Sequence, residues 1–202
     1  MPTVTHPAVD FASVIFEPED LIEIRMLPSG KREWVKASEL ANLTEALTSH
    51  NLDGQNIYFG ANPRVREGSS ARDVARYNNL FVDFDNVSLD YARRIISEAA
   101  LPVPTAEILS GHGVHFYWRL EEHIEDAETW ASYQRGMIAA CGSDPKIKDA
   151  PRVMRLPGFL NVKYEPHVEC KLARLIPGQL CSLQRDTGRH VRTTPGHAVL
   201  HE

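Results

Sequence analysis

The chain has 202 residues, of which 43% are hydrophobic and 24% are charged, and its formal net charge is -5 at pH 7. This length allows one large domain, or two small lobes, around a sizeable core. The negative charge argues against a generic polyanion-binding protein, although basic patches on part of the surface could still contact nucleic acid.

The sequence shows no membrane or targeting feature. No segment reaches the roughly 18 consecutive apolar residues of a membrane span. The N-terminus has neither the basic nor the apolar region of a secretory signal. Cys141, Cys170 and Cys181 form neither a zinc-binding pattern nor a disulfide framework. We therefore expect a cytoplasmic protein with no zinc and no membrane contact.

The first part of the chain contains few clear elements. Residues 1–10 are predicted to be a loose lead-in. Three leucines recur at helical spacing within residues 36–50 and predict a helix. Residues 56–60 (NIYFG) are typical of a short strand that ends at a glycine, and the basic stretch 62–76 that follows is predicted to begin as a loop.

From residue 79 onward, strand and helix patterns alternate. Strands are predicted over 79–84, 105–109, 114–120 and 170–176, and helices after Ser88 and over about 126–141. This β-α-β-β-α-β order is that of ferredoxin-like and RNA-recognition-like sheets, in which one face carries helices and the other can be open. Residues 183–202 lack apolar periodicity and are predicted to form a mobile tail or linker.

Two aspartates interrupt the apolar strand LFVDFDN (80–86). Because side chains alternate across a strand, Asp83 and Asp85 point to the same face. Like charges this close raise each other's pKa and cost stability, and a bound cation removes that cost. An Asp-x-Asp pair also occurs by chance, and at strand ends where both carboxylates reach water.

A glycine-rich turn opens the stretch SGHGVHFYW (110–118). Gly111 and Gly113 allow a tight turn and a close approach to a ligand. Exposed backbone N–H groups there, together with Ser110, could hold a phosphate. His115 falls on the face assigned to the aspartates. An ordinary hairpin turn with a half-exposed histidine would explain the same sequence.

A third polar stretch, KDAPRVMRLPGFLNVKY (148–164), surrounds a Pro-Gly turn. Its acid, Asp149, would complete a hard oxygen site for Mg²⁺ or Mn²⁺. Its basic residues could neutralise a triphosphate. A basic surface loop with solvated ion pairs is the alternative. The other polar residues of this stretch are Arg152, Arg155, Asn161 and Lys163.

Taken in order, FVDFD, SGHGVHFYW and DAPRVMRLPGFLNVK resemble the motifs of the archaeo-eukaryotic primase superfamily. More narrowly, they resemble its primase-polymerase branch in plasmids, phages and mobile elements. The earlier YFGANPR resembles the N-terminal unit of that family, so the similarity spans roughly residues 56–176. The resemblance implies an α+β catalytic core, in which an N-terminal α/β unit (about 11–78) packs against an RNA-recognition-like palm (about 79–182).

The resemblance also implies template-directed nucleotidyl transfer, the activity of a DNA primase or DNA polymerase, with two divalent ions, Mg²⁺ or Mn²⁺. Asp83, Asp85 and Asp149 match the metal-binding acids. The positions expected to bind the incoming dNTP or NTP are Ser110, Gly111, Gly113, His115, Arg155, Asn161 and Lys163. The positions expected to contact a single-stranded DNA template are Arg64, Arg72, Arg76 and Arg152. The chain shows no helicase motif, so a helicase or further domains of a longer protein would supply unwinding.

Other function classes fit part of the pattern. A haloacid-dehalogenase-type phosphatase would use Asp83 as nucleophile and Asp85 as acid, but it needs a downstream Gly-Asp metal motif on a parallel sheet. A non-catalytic replication module would bind nucleic acid without forming phosphodiester bonds. A glycosyltransferase with a metal-binding Asp-x-Asp is a further alternative.

Overall fold

The computed structural model describes residues 5–183, which form four α-helices, ten strands and two short 3₁₀ segments. The helices are α1 (Pro7–Ile15), α2 (Thr44–Leu52), α3 (Leu89–Glu98) and α4 (Ala127–Cys141). The strands are β1 (Leu21–Leu27), β2 (Arg32–Lys36), β3 (Asn56–Gly60), β4 (Tyr77–Asp85), β5 (Ala106–Leu109), β6 (Gly113–Ile124), β7 (Val153–Arg155), β8 (Leu160–Asn161), β9 (Val168–Glu169) and β10 (Lys171–Leu175). The predicted tail lies outside the described residues from position 184 onward, as do positions 1–4 of the predicted lead-in.

The predicted loose lead-in is wrong from Pro7 onward, where α1 begins. His6 caps this helix, because its Nδ1 accepts a hydrogen bond from the second helical N–H at 3.2 Å. A proline in the first turn costs no hydrogen bond, since that N–H would have no partner in the helix. Phe11 of α1 is fully buried and packs edge-on against Phe59 and Tyr117, with ring centroids 5.1 and 5.2 Å apart. The helix therefore belongs to the core.

The N-terminal unit contains an antiparallel sheet with the strand order β2-β1-β3-β7. The β1-β2 hairpin was not predicted from the sequence. Strand β7 comes from the third polar stretch and pairs with β3, so that Met154 lies opposite Phe59. The unit is therefore not continuous in sequence, and the segment that follows Asp149 runs along the edge of its sheet.

The palm contains a second antiparallel sheet with the strand order β10-β5-β6-β4. Strand β6 lies between β4 and β5, as in a split βαβ unit. The last strand, β10, pairs with β5. The predicted α+β class with an RNA-recognition-like palm is confirmed.

Side chains of α4 occupy the free edge of β4. The amide of Gln134 donates to the carbonyl of Phe81 at 2.7 Å and accepts from the N–H of Phe81 at 3.3 Å. The indole of Trp130 donates to the carbonyl of Asn79 at 3.0 Å. An exposed strand edge leaves backbone groups unpaired and invites aggregation. Helix α4 therefore satisfies backbone groups at this edge, which pairs with no further strand among residues 5–183.

The face of the palm that carries the aspartates is less open than expected. The opposite face packs on α3 through Ala92 and Ile96. On the aspartate face, Phe81 and Tyr117 are fully buried. Tyr117 packs there against aromatic rings of α1 and β3. The end of this face near Asp83 opens to solvent, as a cleft between the two sheets.

The three cysteines are free thiols in buried positions. Burial raises the pKa of Cys170 to about 12 and that of Cys181 to about 11, so both remain protonated at neutral pH. Across residues 5–183, none of the helices has both the length and the apolar character needed to cross a bilayer.

Candidate active site

Polar side chains line a cleft of about 660 Å³ between the ends of β4 and β7. It brings together most of the residues selected from the three motifs, although they are far apart in the chain. The predicted residues that line it are Asp83, Asp85, Ser110, His115, Arg152, Arg155, Asn161 and Lys163. The cleft therefore joins an acidic wall from the palm to a basic wall from the segment around β7 and β8.

The acidic wall is formed by Asp83 and Asp85 at the end of β4. Asp83 is largely buried, and its Oδ1 makes no hydrogen bond within the described residues. Burial raises the pKa of Asp83; His115 opposes this rise, and Asp85 and Asp144 add to it. A buried carboxylate oxygen that makes no hydrogen bond among residues 5–183 lies here beside a second, exposed carboxylate. Together they provide the hard oxygen ligands that Mg²⁺ and Mn²⁺ prefer.

His115 lies directly across the sheet from Asp83 and is only 4% exposed. Its Nε2 is 3.5 Å from Oδ1 of Asp83, and its Nδ1 is 3.4 Å from the hydroxyl of Tyr117. Burial lowers the pKa of His115, although the charge of Asp83 opposes that effect. A neutral imidazole has one N–H donor and one acceptor. Because His115 is buried, the alternative interpretation as an ordinary half-exposed histidine is wrong.

The two glycines shape the cleft from behind and do not line it. A Cβ atom on Gly113 would lie 2.1 Å from the carbonyl oxygen of Phe84 in the paired strand. Gly111 has φ +94°, a left-handed conformation that favours glycine. The amide of Asn161 donates to the carbonyl of Ser110 at 2.9 Å. The glycine turn is therefore held against the segment that carries Lys163, and direct nucleotide contact by these glycines stays a prediction.

Arg155 is fixed in the basic wall by two contacts. Its guanidinium lies over the ring of Tyr58, 4.9 Å from the centroid. Its Nη1 donates to Oδ1 of Asn56 at 2.5 Å. Because this side chain is already held in place, it loses little further conformational entropy when an anion binds.

Lys163 extends the basic wall and lies 5.0 Å from the ring centroid of Tyr164. That ring meets His112 edge-on at 4.8 Å. Tyr164 is 51% exposed, so one aromatic surface at the rim of the cleft remains available to a ligand.

The structure does not bring Asp149 into the cleft. Its carboxylate is half exposed and forms an ion pair with Arg152, which does line the cleft. Another acid, Asp144, lies closer to the pair, because its N–H donates to the carbonyl of Asp83 at 3.0 Å. Among residues 5–183, no three acidic, histidine or cysteine side chains converge to hold an ion. A metal-binding role for Asp149 stays a prediction.

The residues proposed to bind a template differ in their environments. Arg64 is 3% exposed and forms a buried ion pair with Glu23 at 2.9 Å, so the prediction is wrong for this residue. Arg76 is partly exposed and pairs with Asp20 at 2.6 Å. Arg72 lies on the surface. Of this set, Arg152 alone also lines the cleft.

Six residues that line the cleft were not predicted from the sequence: Tyr58, Asn86, His112, Val153, Met154 and Tyr164. Alternation along β3 could have identified Tyr58, since Ile57 and Phe59 point into the core. Asn86 adopts φ +55°, and its N–H donates to the carbonyl of His112 at 2.7 Å. Asparagine tolerates a positive φ better than most residues, so an asparagine directly after β4 was the signal in the sequence that could have identified Asn86.

The fold is that of the catalytic domains of archaeo-eukaryotic primases. The corresponding domain of the Cyanophage S-2L primase-polymerase has a TM-score of 0.66 and 21% identity, over 85% of this chain and 92% of that one. Primase RepB' has a TM-score of 0.65 and 17% identity, over 84% of this chain and 55% of that one. The catalytic domain of RepB' in complex with initiator DNA has a TM-score of 0.61 and 17% identity, over 84% of this chain and 85% of that one.

The chain belongs to the RepB DNA-primase N-terminal domain family, whose model matches residues 19–185. A replication protein of Clostridium perfringens is 25% identical over 148 residues. That alignment covers 66% of this chain and 34% of the relative, so the chain spans about a third of that protein's length. The chain is a primase-like replication domain.

Proposed function

We propose that this domain joins nucleotides on a single-stranded DNA template, as a primase or DNA polymerase does. The observation that carries the proposal is the arrangement of the cleft. Asp83 and Asp85 form one wall, and Arg152, Arg155 and Lys163 lie on the other. The first wall suits a cation and the second suits phosphates, so a metal-bound nucleoside triphosphate fits between them.

The basic wall would hold the triphosphate of the incoming nucleotide. Arg155 is held in place by Asn56 and Tyr58, so its charge is already oriented before the ligand enters. His115 would donate a hydrogen bond from Nε2 to a phosphate oxygen. The exposed ring of Tyr164 would contact the base or the sugar at the rim.

Asp83 and Asp85 would hold Mg²⁺ or Mn²⁺, which neutralises charge on the triphosphate and lowers the pKa of the attacking 3′-hydroxyl. The buried Oδ1 of Asp83, which makes no hydrogen bond within the described residues, supports this assignment. Two ions would need a further carboxylate. Asp149 is our proposal for it, and Asp144 is the alternative that lies nearer to Asp83.

The chemical step is an in-line displacement at the α-phosphorus. A bond forms between the 3′-oxygen and the α-phosphorus, and the bond from that phosphorus to the oxygen shared with the β-phosphate breaks. Pyrophosphate leaves, and the hydroxyl proton passes to water, which reaches the exposed Asp85. The residues of the cleft contribute orientation and charge compensation.

The phosphatase alternative receives no support from the fold. It needs the nucleophilic aspartate at the end of a strand in a parallel sheet, whereas β4 pairs antiparallel with β6. A non-catalytic module with the same fold remains the competing hypothesis, and it predicts DNA binding without synthesis.

Incubation with single-stranded template, labelled dNTP or NTP, and Mg²⁺ or Mn²⁺ tests the proposal, with and without a primer. We expect incorporation that depends on the metal ion and on the template, with a product composition that follows the template sequence. Omission of the template and addition of a chelator are the controls. Tight template binding with no incorporation under any of these conditions would favour the non-catalytic module.

The role of Asp149 can be separated from that of its partner Arg152. If Asp149 binds metal, Asp149→Asn should raise the Mn²⁺ concentration for half-maximal synthesis by about 10–100-fold, the usual effect of disturbing the environment of a metal site. If Asp149 only positions Arg152, the KM for nucleotide should rise and the metal dependence should not change. Asp144→Asn is the matched comparison, since it removes the acid that lies nearer to Asp83.

A further inference from the structure

We propose that a second groove, which borders the same acidic pair, binds the nucleoside that supplies the attacking 3′-hydroxyl. This inference rests on the proposed nucleotidyl transfer and assigns its second substrate. We call this depression the α3 groove. It is lined by Asp83, Phe84, Asp85, Val87, Tyr91, Ile95, Gly142, Ser143, Asp144 and Pro145.

The position of the α3 groove relative to the cleft carries the proposal. The two depressions share two lining residues, Asp83 and Asp85. In a displacement at phosphorus, the nucleophile and the leaving group lie on opposite sides of the reacting atom. If the triphosphate lies along the basic wall of the cleft, the attacking hydroxyl must approach the same two carboxylates from another direction. The α3 groove supplies that approach.

One wall of the groove is suited to a nucleoside. Tyr91 and Ile95 are four residues apart and lie along one side of α3, and Val87 lies just before the cap residue of that helix. Tyr91 is 46% exposed, and the guanidinium of Arg94 lies 4.9 Å from its ring centroid. An exposed aromatic ring beside a cation can stack on a base of any sequence while the cation faces a phosphate.

The opposite wall offers an unused hydrogen-bonding group. Ser143 is 6% exposed, and its Oγ has no hydrogen-bond partner within the described residues. The thiol of Cys141, a weak hydrogen-bonding group, lies within reach of this hydroxyl, which partly offsets the rise that burial causes in the pKa of Cys141. A buried hydroxyl without a partner costs free energy, so a ligand hydroxyl or base edge would relieve that cost. The next residue, Asp144, is fixed to β4 through the carbonyl of Asp83.

The size of the groove fits one nucleoside. Its volume is about 430 Å³, against about 660 Å³ for the cleft, and both lie within the range of small-ligand sites. The larger cavity with a basic wall suits the triphosphate, and the smaller one with an aromatic wall suits the nucleoside. A primer end and a free initiating nucleotide present the same 3′-hydroxyl, so either can occupy the groove.

Variants in the α3 groove and in the cleft should change the KM values of different substrates. Tyr91→Ala should raise the KM for the 3′-hydroxyl donor by about 5- to 150-fold, which corresponds to the loss of one stacked base. It should leave the KM for the incoming nucleotide unchanged. Lys163→Ala should raise the KM for the incoming nucleotide and leave that for the donor unchanged. Val103→Ala, at an exposed apolar position after α3, is the control that should change neither.

Two arms of the measurement distinguish the sources of the hydroxyl. Primer extension reports on a primer end, and dinucleotide synthesis without a primer reports on a free nucleotide. A raised donor KM for Tyr91→Ala in either arm supports the proposal. Tyr91→Phe, which keeps the ring, should restore a near-normal donor KM. A primer with a photoreactive base at its 3′ end should also crosslink to α3.

The possible failures are distinguishable. If the unmodified chain incorporates no nucleotide, the proposed function fails and this inference fails with it. If the unmodified chain is active but Tyr91→Ala leaves the donor KM unchanged, or raises only the KM for the incoming nucleotide, the groove assignment alone is overturned. Should Tyr91→Ala not fold, Ser143→Ala provides the same test from the opposite wall.

Discussion

Replacing both Asp83 and Asp85 with alanine should reduce nucleotide incorporation by at least about 10³-fold, because one preorganised group that stabilises transferring charge is often worth 10²–10³-fold. The chain should stay folded. Without metal, the charged form of Asp83 destabilises the folded chain, because the carboxylate is buried, which raises its pKa, and Oδ1 makes no hydrogen bond within the described residues. Incorporation is measured with Mg²⁺ and with Mn²⁺, and unfolding with urea.

The stability of the same double variant gives a second, independent result. A carboxyl whose pKa is raised by folding destabilises the protein above that pKa, and the cost disappears as the pH falls below it. The variant should therefore be more stable than the unmodified chain at neutral pH without metal, and the difference should shrink on acidification. Divalent ions should stabilise only the unmodified chain. Asp90→Asn, on the exposed side of α3, should change neither property, and a double variant that remains active would contradict the assignment.

The palm could be predicted well because its signals are local. Alternation within LFVDFDN assigns Asp83 and Asp85 to one face, and the antiparallel pairing of β4 with β6 places His115 opposite Asp83. The helix boundaries were also encoded locally. Ser88 caps α3 by accepting a hydrogen bond at 3.3 Å, and Gly142 ends α4 with φ +64°.

The N-terminal unit could not be predicted in the same way, because its pairings are distant in sequence. Nothing local in the three residues of β7 shows that they complete a sheet with β3. Helix α1 spans nine residues and is stabilised mainly by burial against rings from β3 and β6. Its buried face could be identified only once those partners were in place.

Gly113 has a structural role that the sequence did not reveal. The sequence suggested that Gly113 lets a ligand approach the backbone. In the structure, the atom that approaches is the carbonyl of Phe84, directly behind the acidic pair. Because Gly113 has no side chain, β6 can lie close to β4 at this point, and the pairing of the two strands sets Asp83 beside His115.

The buried ion pair between Glu23 and Arg64 supports the cleft from the N-terminal sheet. Arg64 was expected to bind a template, but both side chains are completely buried. Nη2 of Arg64 also donates to the carbonyl of Pro151 at 3.0 Å. The next residue in the chain, Arg152, lines the cleft. The pair therefore positions the start of the basic wall.

Glu23→Ala should destabilise the chain by about 3–5 kcal/mol, because it leaves the charge of Arg64 buried without a carboxylate. Burial alone would raise the pKa of Glu23, but hydrogen bonds from Arg25, Ser69 and Arg64 lower it overall. The stabilisation should therefore be present at neutral pH and be lost as the pH falls through that lowered pKa. Urea unfolding across this pH range measures both effects.

The matched control for Glu23→Ala is Glu33→Ala on the neighbouring strand. Glu33 is 42% exposed and forms an ion pair with Lys31 at 3.3 Å, so its loss should cost no more than about 1 kcal/mol. Template affinity is measured for the same variants, because a surface arginine that binds the template should affect affinity and not stability. Arg72→Ala, at the surface, should weaken template binding without changing stability. A Glu23→Ala variant as stable as Glu33→Ala would contradict the stabilising role assigned to the pair of Glu23 and Arg64.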